Sequence, residues 1–189
     1  FRVASVAKNF RALVKNKLVF PAIFGATNKS IADYLGIHQH YVDRIMVEFW
    51  DVFDGLRQWQ ERIIKKYYDT GYVEAPTGRR RHYPMTRNEA INASIQGLAS
   101  DIVVDAMTTL SYKAATEDKW YLHPRLNIHD DLTQIVPDDK IETAIETVYR
   151  VMLSPNLPCV NVPLSCEISI GRDWFHMESI GKFYSNKDL

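Results

Sequence analysis

Three adjacent polar residues, His129, Asp130 and Asp131, lie between two short β-rich runs at 125–128 and 132–136. This pattern predicts a hairpin with the polar residues at its turn. A hydrated cation can reach carboxylates at such a turn, and Mg²⁺ binds through one or two carboxylates together with water and phosphate oxygens. Neighbouring strand residues point to opposite faces, so we expect one aspartate to be a ligand and the other to support it. A solvated turn, in which Asp is common, explains the same residues.

A cluster of cations near the start of the chain suits phosphate groups. The first 32 residues contain six Lys or Arg and no acid. Lys8, Arg11 and Lys15 share one face of a helix predicted over residues 3–24, and they can present a row of charges to a triphosphate. Phe20 and Phe24 follow at four-residue spacing, and such rings can stack on a base or sugar. The alternative is an amphipathic helix with a solvated basic face.

Two amides and four arginines form a third group. Asn92 and Gln96 lie four residues apart, so on a helix they share a face, and amides can contact the minor-groove acceptors of any base pair. Just upstream are the cations that would bind a phosphate backbone without reading sequence, which are Arg79, Arg80, Arg81 and Arg87. An exposed polar helix face is the alternative interpretation of the amide pair.

The helices and strands predicted around these groups indicate an α+β fold. Hydrophobic residues make up 46% of the 189 residues, which is enough for a buried core, and the net charge of zero gives no hint of a nucleic-acid partner. No apolar run approaches the roughly 20 residues of a membrane span, so we expect a soluble, cytoplasmic protein without a membrane partner.

The predicted helices cover residues 3–24, 30–35 (capped by Ser30), about 37–71 with a break near Gly55, 87–114 and 138–153. A hairpin or loop is predicted over 71–84 and a strand over 161–170. The tail around Trp174 and Phe183 is predicted to be partly helical.

The order of five segments resembles the C-terminal half of the family A DNA polymerases. They are RALVKNKLVFPAIFG, TGRRRHYP, NASIQGLASDI, NIHDDL and VPLSCEISIGRDW. The resemblance implies a helical fingers subdomain over residues 1–75. A palm portion over 76–189 follows, with a small antiparallel sheet, the hairpin, packing helices and a closing strand.

The resemblance also implies a role for each candidate residue. Arg11 and Lys15 would grip the incoming dNTP, and Lys15 would also give a proton to the leaving pyrophosphate. Phe20 would lie against the sugar, where a Phe in this family goes with exclusion of dideoxynucleotides. Phe24 would stack near the templating pair.

The remaining roles concern primer-template DNA and metal. Asn92, Gln96 and His129 would line the primer-terminus side, and Asp130 would bind two Mg²⁺ ions with Asp131 beside it. Asp131 stands where the bacterial enzymes of the family have Glu, and some phage relatives resemble this chain in having Asp there. The implied setting is the cytoplasm of a bacterial or phage-infected cell.

The spacing of Lys15 and Phe20 departs from the family pattern. The family separates these positions by four residues, and here the separation is five. A π-bulge accommodates one extra residue in a helix, and Pro21 disfavours regular α geometry at the residue before it. We therefore predict a distorted helix over residues 17–21.

A second departure is the lack of any stretch that resembles DYSxIExR, the family motif with the first catalytic aspartate. Two-metal phosphoryl transfer clamps both the attacking and the leaving oxygen, which Asp130 alone can scarcely do. We expect the missing aspartate from another segment or from a second polypeptide, as in a split polymerase.

A different class of function is also compatible with part of the sequence. Residues 30–50 have the look of a helix-turn-helix, so the chain could be a non-catalytic nucleic-acid-binding module that needs no metal. In that case Asp130→Ala would leave DNA affinity and cellular function intact.

Overall fold

The structure is a computed structural model that describes residues 9–185. The chain forms two compact units, Phe1–Gln96 and Gly97–Leu189. Helices predominate, and three two-stranded antiparallel sheets occur within the described residues. The predicted α+β class is confirmed. The division into fingers (1–75) and palm (76–189) stays a prediction.

Helices build most of the N-terminal unit. They are α1 (residues 9–14), a π turn (Lys15–Val19), α2 (Phe20–Ile23), α3 (Asn28–Leu35), α4 (Gln39–Val52) and α5 (Asp54–Thr70). The predicted cap at Ser30 is wrong, because Thr27 Oγ1 accepts the Ser30 N–H at 3.2 Å and starts α3 three residues earlier. The break in the long helical stretch is at Phe53 rather than Gly55.

The π turn and α2 pack against α3 and α4 around one apolar cluster. Its buried members are Leu18, Ala22, Ile31, Ala32, Val42 and Met46. Residues one helical turn apart, such as Val42 and Met46, supply the inner face of α4. Apolar packing against α3 and α4 therefore fixes the helix that carries the candidate phosphate-binding residues.

A short hairpin leads from α5 into the long helix α6 (Arg87–Thr116). Its strands, β1 (Tyr72–Glu74) and β2 (Arg80–His82), confirm the hairpin predicted over 71–84. Tyr67 is fully buried, and its hydroxyl donates to Met85 O at 3.0 Å and accepts the Met85 N–H at 2.8 Å. Thr86 and Glu89 form a capping box at the start of α6. These bonds fix where α6 begins.

The C-terminal unit contains two further hairpins and a packing helix. After the 3₁₀ turn Trp120–Leu122 come β3 (Leu126–Ile128), β4 (Asp131–Thr133), the 3₁₀ turn Asp138–Lys140, α7 (Ile141–Leu153), β5 (Ser165–Gly171) and β6 (Met177–Tyr184). Tyr121, Leu122 and Ala144 form the small core. Helix α7 packs against β5.

The predicted helical tail is wrong, because residues 177–184 form β6, which pairs with β5 along its whole length. The Asp173 carboxylate accepts the N–H groups of Phe175 and His176 at 2.9 and 3.0 Å, and this side-chain turn reverses the chain. The Phe183 ring then stacks on Tyr149 of α7, with centroids 4.8 Å apart and planes 7° apart. The last strand is thus anchored to the helix below it.

No helix within residues 9–185 combines the length and the apolar character that crossing a bilayer requires.

Candidate active site

The π turn at Lys15–Val19 brings the first two candidate residues together. The Phe20 N–H donates to Lys15 O, five residues back instead of the four of an α-helix. The wider turn absorbs the extra residue, so the Lys15 ammonium lies 5.0 Å from the centre of the Phe20 ring. The predicted distortion is confirmed and begins at Lys15, two residues earlier than expected. Pro21 follows in the first turn of α2, where its missing N–H is tolerated.

The other members of this row continue on both sides. Arg11 lies one α-helical turn before Lys15, and both side chains are exposed. The rings of Phe20 and Phe24 have centroids 6.2 Å apart and planes 51° apart. Phe20 is 40% exposed, whereas Phe24 is half-buried. The result is an accessible strip of two cations followed by two rings. Lys8 lies outside the described residues.

Two long side chains from distant positions secure the end of α2. Gln60 is buried, and its amide donates to Ala22 O at 3.0 Å and to Ile23 O at 2.6 Å. The Arg87 guanidinium donates to Gly25 O at 3.1 Å. Arg87 was predicted as a phosphate contact, and here it ties the end of α2 to the start of α6. Gln60 was missed, because no local pattern links a glutamine to carbonyls 37 residues away.

A pocket of about 480 Å³ adjoins the same turn. Its lining includes Gln60 and Arg87 and three carboxylates, Asp43, Asp51 and Glu61, against two arginines. This excess of acids makes the pocket a poor receptor for a phosphate. The accessible strip on α1 and α2 remains the better phosphate site.

The amide pair lies on α6. Asn92 is half-buried, and its Oδ1 is buried without a hydrogen-bond partner among the described residues. Gln96 is exposed one turn later. A buried acceptor without a partner lowers the stability of the fold.

Arg80 of the first hairpin is already in an ion pair with Glu74. Arg80 Nε lies 2.8 Å from Glu74 Oε2, and its guanidinium lies 4.5 Å from the centre of the Tyr72 ring. The hydrogen bond from Arg80 lowers the pKa of Glu74, and the same bond raises the pKa of Arg80. Arg79 and Arg81 are exposed. Arg80 must exchange an ion pair before it can bind a phosphate.

The predicted hairpin around the aspartates is confirmed. Ile128 pairs with Asp131, which leaves His129 and Asp130 as a two-residue turn. His129 has φ of 58°, a conformation that hairpin turns require. The Asn127 amide donates to His129 O at 3.2 Å and to Asp131 O at 3.1 Å, so it holds the turn closed. Asn127 was missed, although an Asn near a tight turn is a recognisable signal.

The turn is open to solvent, and its two carboxylates alone do not enclose a cation. His129, Asp130 and Asp131 are all exposed. Within residues 9–185, no three His, Cys, Asp or Glu side chains come together as a metal site. Asp138 and Asp139 are paired with Arg172 and Lys140, each at 3.0 Å. The turn has room for a cation and for another chain segment.

Residues 1–176 match the profile of DNA polymerase family A. The chain belongs to this family. It is 31% identical to DNA polymerase I of Chloroflexus aurantiacus over 186 residues, which cover 93% of this chain and 19% of that protein. It is 30% identical to the thermostable DNA polymerase I of Thermus filiformis over 166 residues, which cover 82% of this chain and 19% of that protein.

A solved structure supports the same family A assignment. The POL domain of Pol1 from M. smegmatis, in complex with DNA primer-template and dNTP, aligns with a TM-score of 0.68 at 25% identity. The alignment covers 77% of this chain and 27% of that one. The chain spans about a fifth of the length of the curated polymerases it matches. Strand β6 begins just after the last residue of the family match.

The turn after α2 gives a first test of how this family A site is built. Gly25 has φ of 86°, and an added Cβ would lie 2.7 Å from Ile91 Cδ1 and 2.9 Å from Asn88 Oδ1. Gly36 has φ of 67° but open space around it. We expect Gly36→Ala to lower the free energy of unfolding by about 1–2 kcal/mol, the cost of a left-handed alanine.

Gly25→Ala should cost at least roughly 1 kcal/mol more than Gly36→Ala, because overpacking adds to the backbone strain. Urea denaturation of both variants measures the difference. Equal losses in the two variants would show that α6 does not press on the end of α2.

Proposed function

We propose that this chain is the fingers-and-palm portion of a template-directed DNA polymerase that adds dNTPs to a primer 3′ end. Membership in family A supports the proposal, as does the likeness to a polymerase domain bound to primer-template and dNTP. The observation that carries it is the π turn, because it brings the Lys15 ammonium within 5.0 Å of the centre of the Phe20 ring although the two residues are one position farther apart than in the family pattern.

The strip on α1 and α2 binds the incoming nucleotide in this proposal. Arg11 and Lys15 are exposed and one turn apart, so both can donate to triphosphate oxygens. Lys15 protonates the pyrophosphate as it leaves. Phe20 packs against the sugar, and Phe24 lies near the templating pair. The fingers helix closes over the nucleotide and excludes water from it.

The DNA-binding groups have two roles. Asn92 and Gln96 contact the minor groove near the primer terminus, and in this proposal His129 also contacts the primer terminus. Cations of the β1–β2 hairpin and of α6 contact phosphates, which gives affinity without sequence preference, and these are Arg79, Arg80, Arg81 and Arg87. Asn92 and Gln96 lie one helical turn apart on α6, so both amides can donate into one groove.

The exposed turn of β3 and β4 holds the metal ligands. Family A polymerases generally use Mg²⁺, and the Asp130 and Asp131 carboxylates are the hard oxygen ligands that this ion prefers. Mg²⁺ held by these carboxylates would supply positive charge for the attacking and leaving oxygens. Asp130 is the proposed ligand, and Asp131, the first residue of β4, supports it. Within residues 9–185 neither carboxylate is paired with a protein cation, so both are available.

The second carboxylate comes from outside these 189 residues, from another segment or another polypeptide. Two-stranded hairpins are only marginally stable on their own. Here Leu126 is 40% exposed and Ile128 is 45% exposed on β3, and both edges of the hairpin are unpaired within the described residues. An added strand would bury these apolar side chains and could bring the first catalytic aspartate beside Asp130. In a split polymerase that strand belongs to a partner chain.

The helix-turn-helix segment does form two helices, α3 and α4, joined by residues 36–38. The family match spans this segment, and the inner face of α4 is occupied by Val42 and Met46. We therefore propose no separate DNA-binding function for it.

Replacing the proposed metal ligand should separate catalysis from binding. We expect Asp130→Asn to lower primer extension at least about a hundredfold, because charge stabilisation in the transition state is lost. DNA affinity should not fall. The assay uses the complete assembly purified from its host through a tag on this chain, with a labelled primer-template.

Asp118→Asn is the matched control, because Asp118 is exposed and has φ of 52°, a conformation that Asn also adopts. Activity should remain in that variant. Undiminished extension by Asp130→Asn would refute the metal role. Extension by the lone 189-residue chain would refute the need for a carboxylate from outside it.

The sugar contact gives a second test. Phe20→Tyr adds a hydroxyl that can replace the hydrogen bond lost with the 3′-hydroxyl of a dideoxynucleotide. We expect it to raise the incorporation of ddNTP relative to dNTP about tenfold, the effect of one net hydrogen bond. Competitive single-nucleotide extension measures the ratio. Phe24→Tyr is the control, and an equal rise in both variants would contradict the placement of Phe20.

A further inference from the structure

Two histidines meet at the start of α4, and the proposed polymerase function uses neither of them. His38 occupies the N-cap of the helix, and His40 is its second residue. Their Nδ1 atoms are 2.9 Å apart, and their ring centroids are 4.8 Å apart. The His38 side chain makes no capping hydrogen bond, although the N-cap usually serves that purpose. The rings are directed toward each other instead.

The separation of the two nitrogens fits one metal ion. With metal–nitrogen distances of about 2.05 Å, two imidazole nitrogens lie about 2.9 Å apart at a right angle and about 3.3 Å apart at the tetrahedral angle. We propose that His38 and His40 form a two-histidine site for a divalent transition metal ion of the Zn²⁺, Ni²⁺ or Cu²⁺ class. Both residues are exposed, so water can complete the coordination.

The present contact becomes a metal site when one proton moves and the two rings turn slightly, so that both Nδ1 lone pairs point at one ion. At 2.9 Å one Nδ1–H donates to the other Nδ1. When a metal ion binds, that proton moves to Nε2 of the same ring, so both Nδ1 lone pairs reach the ion. Two neutral rings release no net proton in this step. The His40 ring also lies 3.8 Å from the Tyr41 ring, centroid to centroid, which limits its rotation.

The surroundings favour metals that bind imidazole strongly over those held by charge alone. The start of α4 carries the partial positive charge of a helix N-terminus, which disfavours a cation without strong ligands. Mg²⁺ prefers oxygen ligands and near-octahedral water, whereas Zn²⁺, Ni²⁺ and Cu²⁺ bind imidazole well. The site is therefore distinct in chemistry from the aspartate turn.

Calorimetric titration of the untagged 189-residue chain with ZnCl₂, NiCl₂ and MgCl₂ tests this site. We expect saturable Zn²⁺ and Ni²⁺ binding that Mg²⁺ does not compete away. His38→Ala and His40→Ala should each weaken it at least about tenfold, since even the groups that only orient metal ligands are worth ten- to a hundredfold. Zn²⁺ should also raise the melting temperature of the wild type more than that of either variant.

His82→Ala is the control, because His82 is an exposed histidine on β2 with no histidine paired to it. Its Zn²⁺ affinity should equal that of the wild type. Circular dichroism confirms that each variant is folded, and His40→Gln should give the same loss as His40→Ala. Unchanged Zn²⁺ affinity in the His38 and His40 variants, or an equal loss in His82→Ala, would overturn the proposal.

Discussion

A two-residue turn can expose carboxylates, but it cannot surround a pair of divalent ions by itself. Mg²⁺ needs several oxygen ligands at near-octahedral positions, and two such ions share their ligands only if acids approach from more than one side. The turn at His129 and Asp130 offers acids from one side only, on a hairpin whose apolar side chains are partly exposed. In the proposed polymerase, the metal site and the stability of this hairpin therefore depend on the same element, a strand added from outside these residues.

The proposed nucleotide-binding site, in contrast, is formed by residues of this chain alone. The extra residue between Lys15 and Phe20 would rotate the ring away from the ammonium in a regular α-helix. The π turn removes this mismatch, and the buried Leu18 fixes it by packing toward α3 and α4. The π turn lies on the helix that we propose binds the nucleotide, and π turns are common at functional positions.

Local signals in the sequence predicted most of these features. The five-residue spacing followed by Pro21 predicted the distortion, and the β-rich runs around the aspartates predicted the hairpin. Contacts between distant segments were not predictable in the same way. Gln60 and Arg87 meet the end of α2 across 37 and 62 residues, and nothing in their immediate sequence indicates carbonyl partners. The strand β6 was also missed, because Ile180 is its one β-branched residue. The turn before it was missed too, because it depends on a hydrogen bond to the Asp173 side chain.

The most direct test of the account is to identify what lies beside the aspartate turn in the active assembly. A photoreactive benzoylphenylalanine in place of Ile128, which is exposed beside the turn, answers this question through mass spectrometry of the cross-linked peptides. The account predicts a cross-link to a peptide outside these 189 residues that contains an aspartate. Cross-links confined to this chain's own residues, in an assembly that still extends primers, would contradict it.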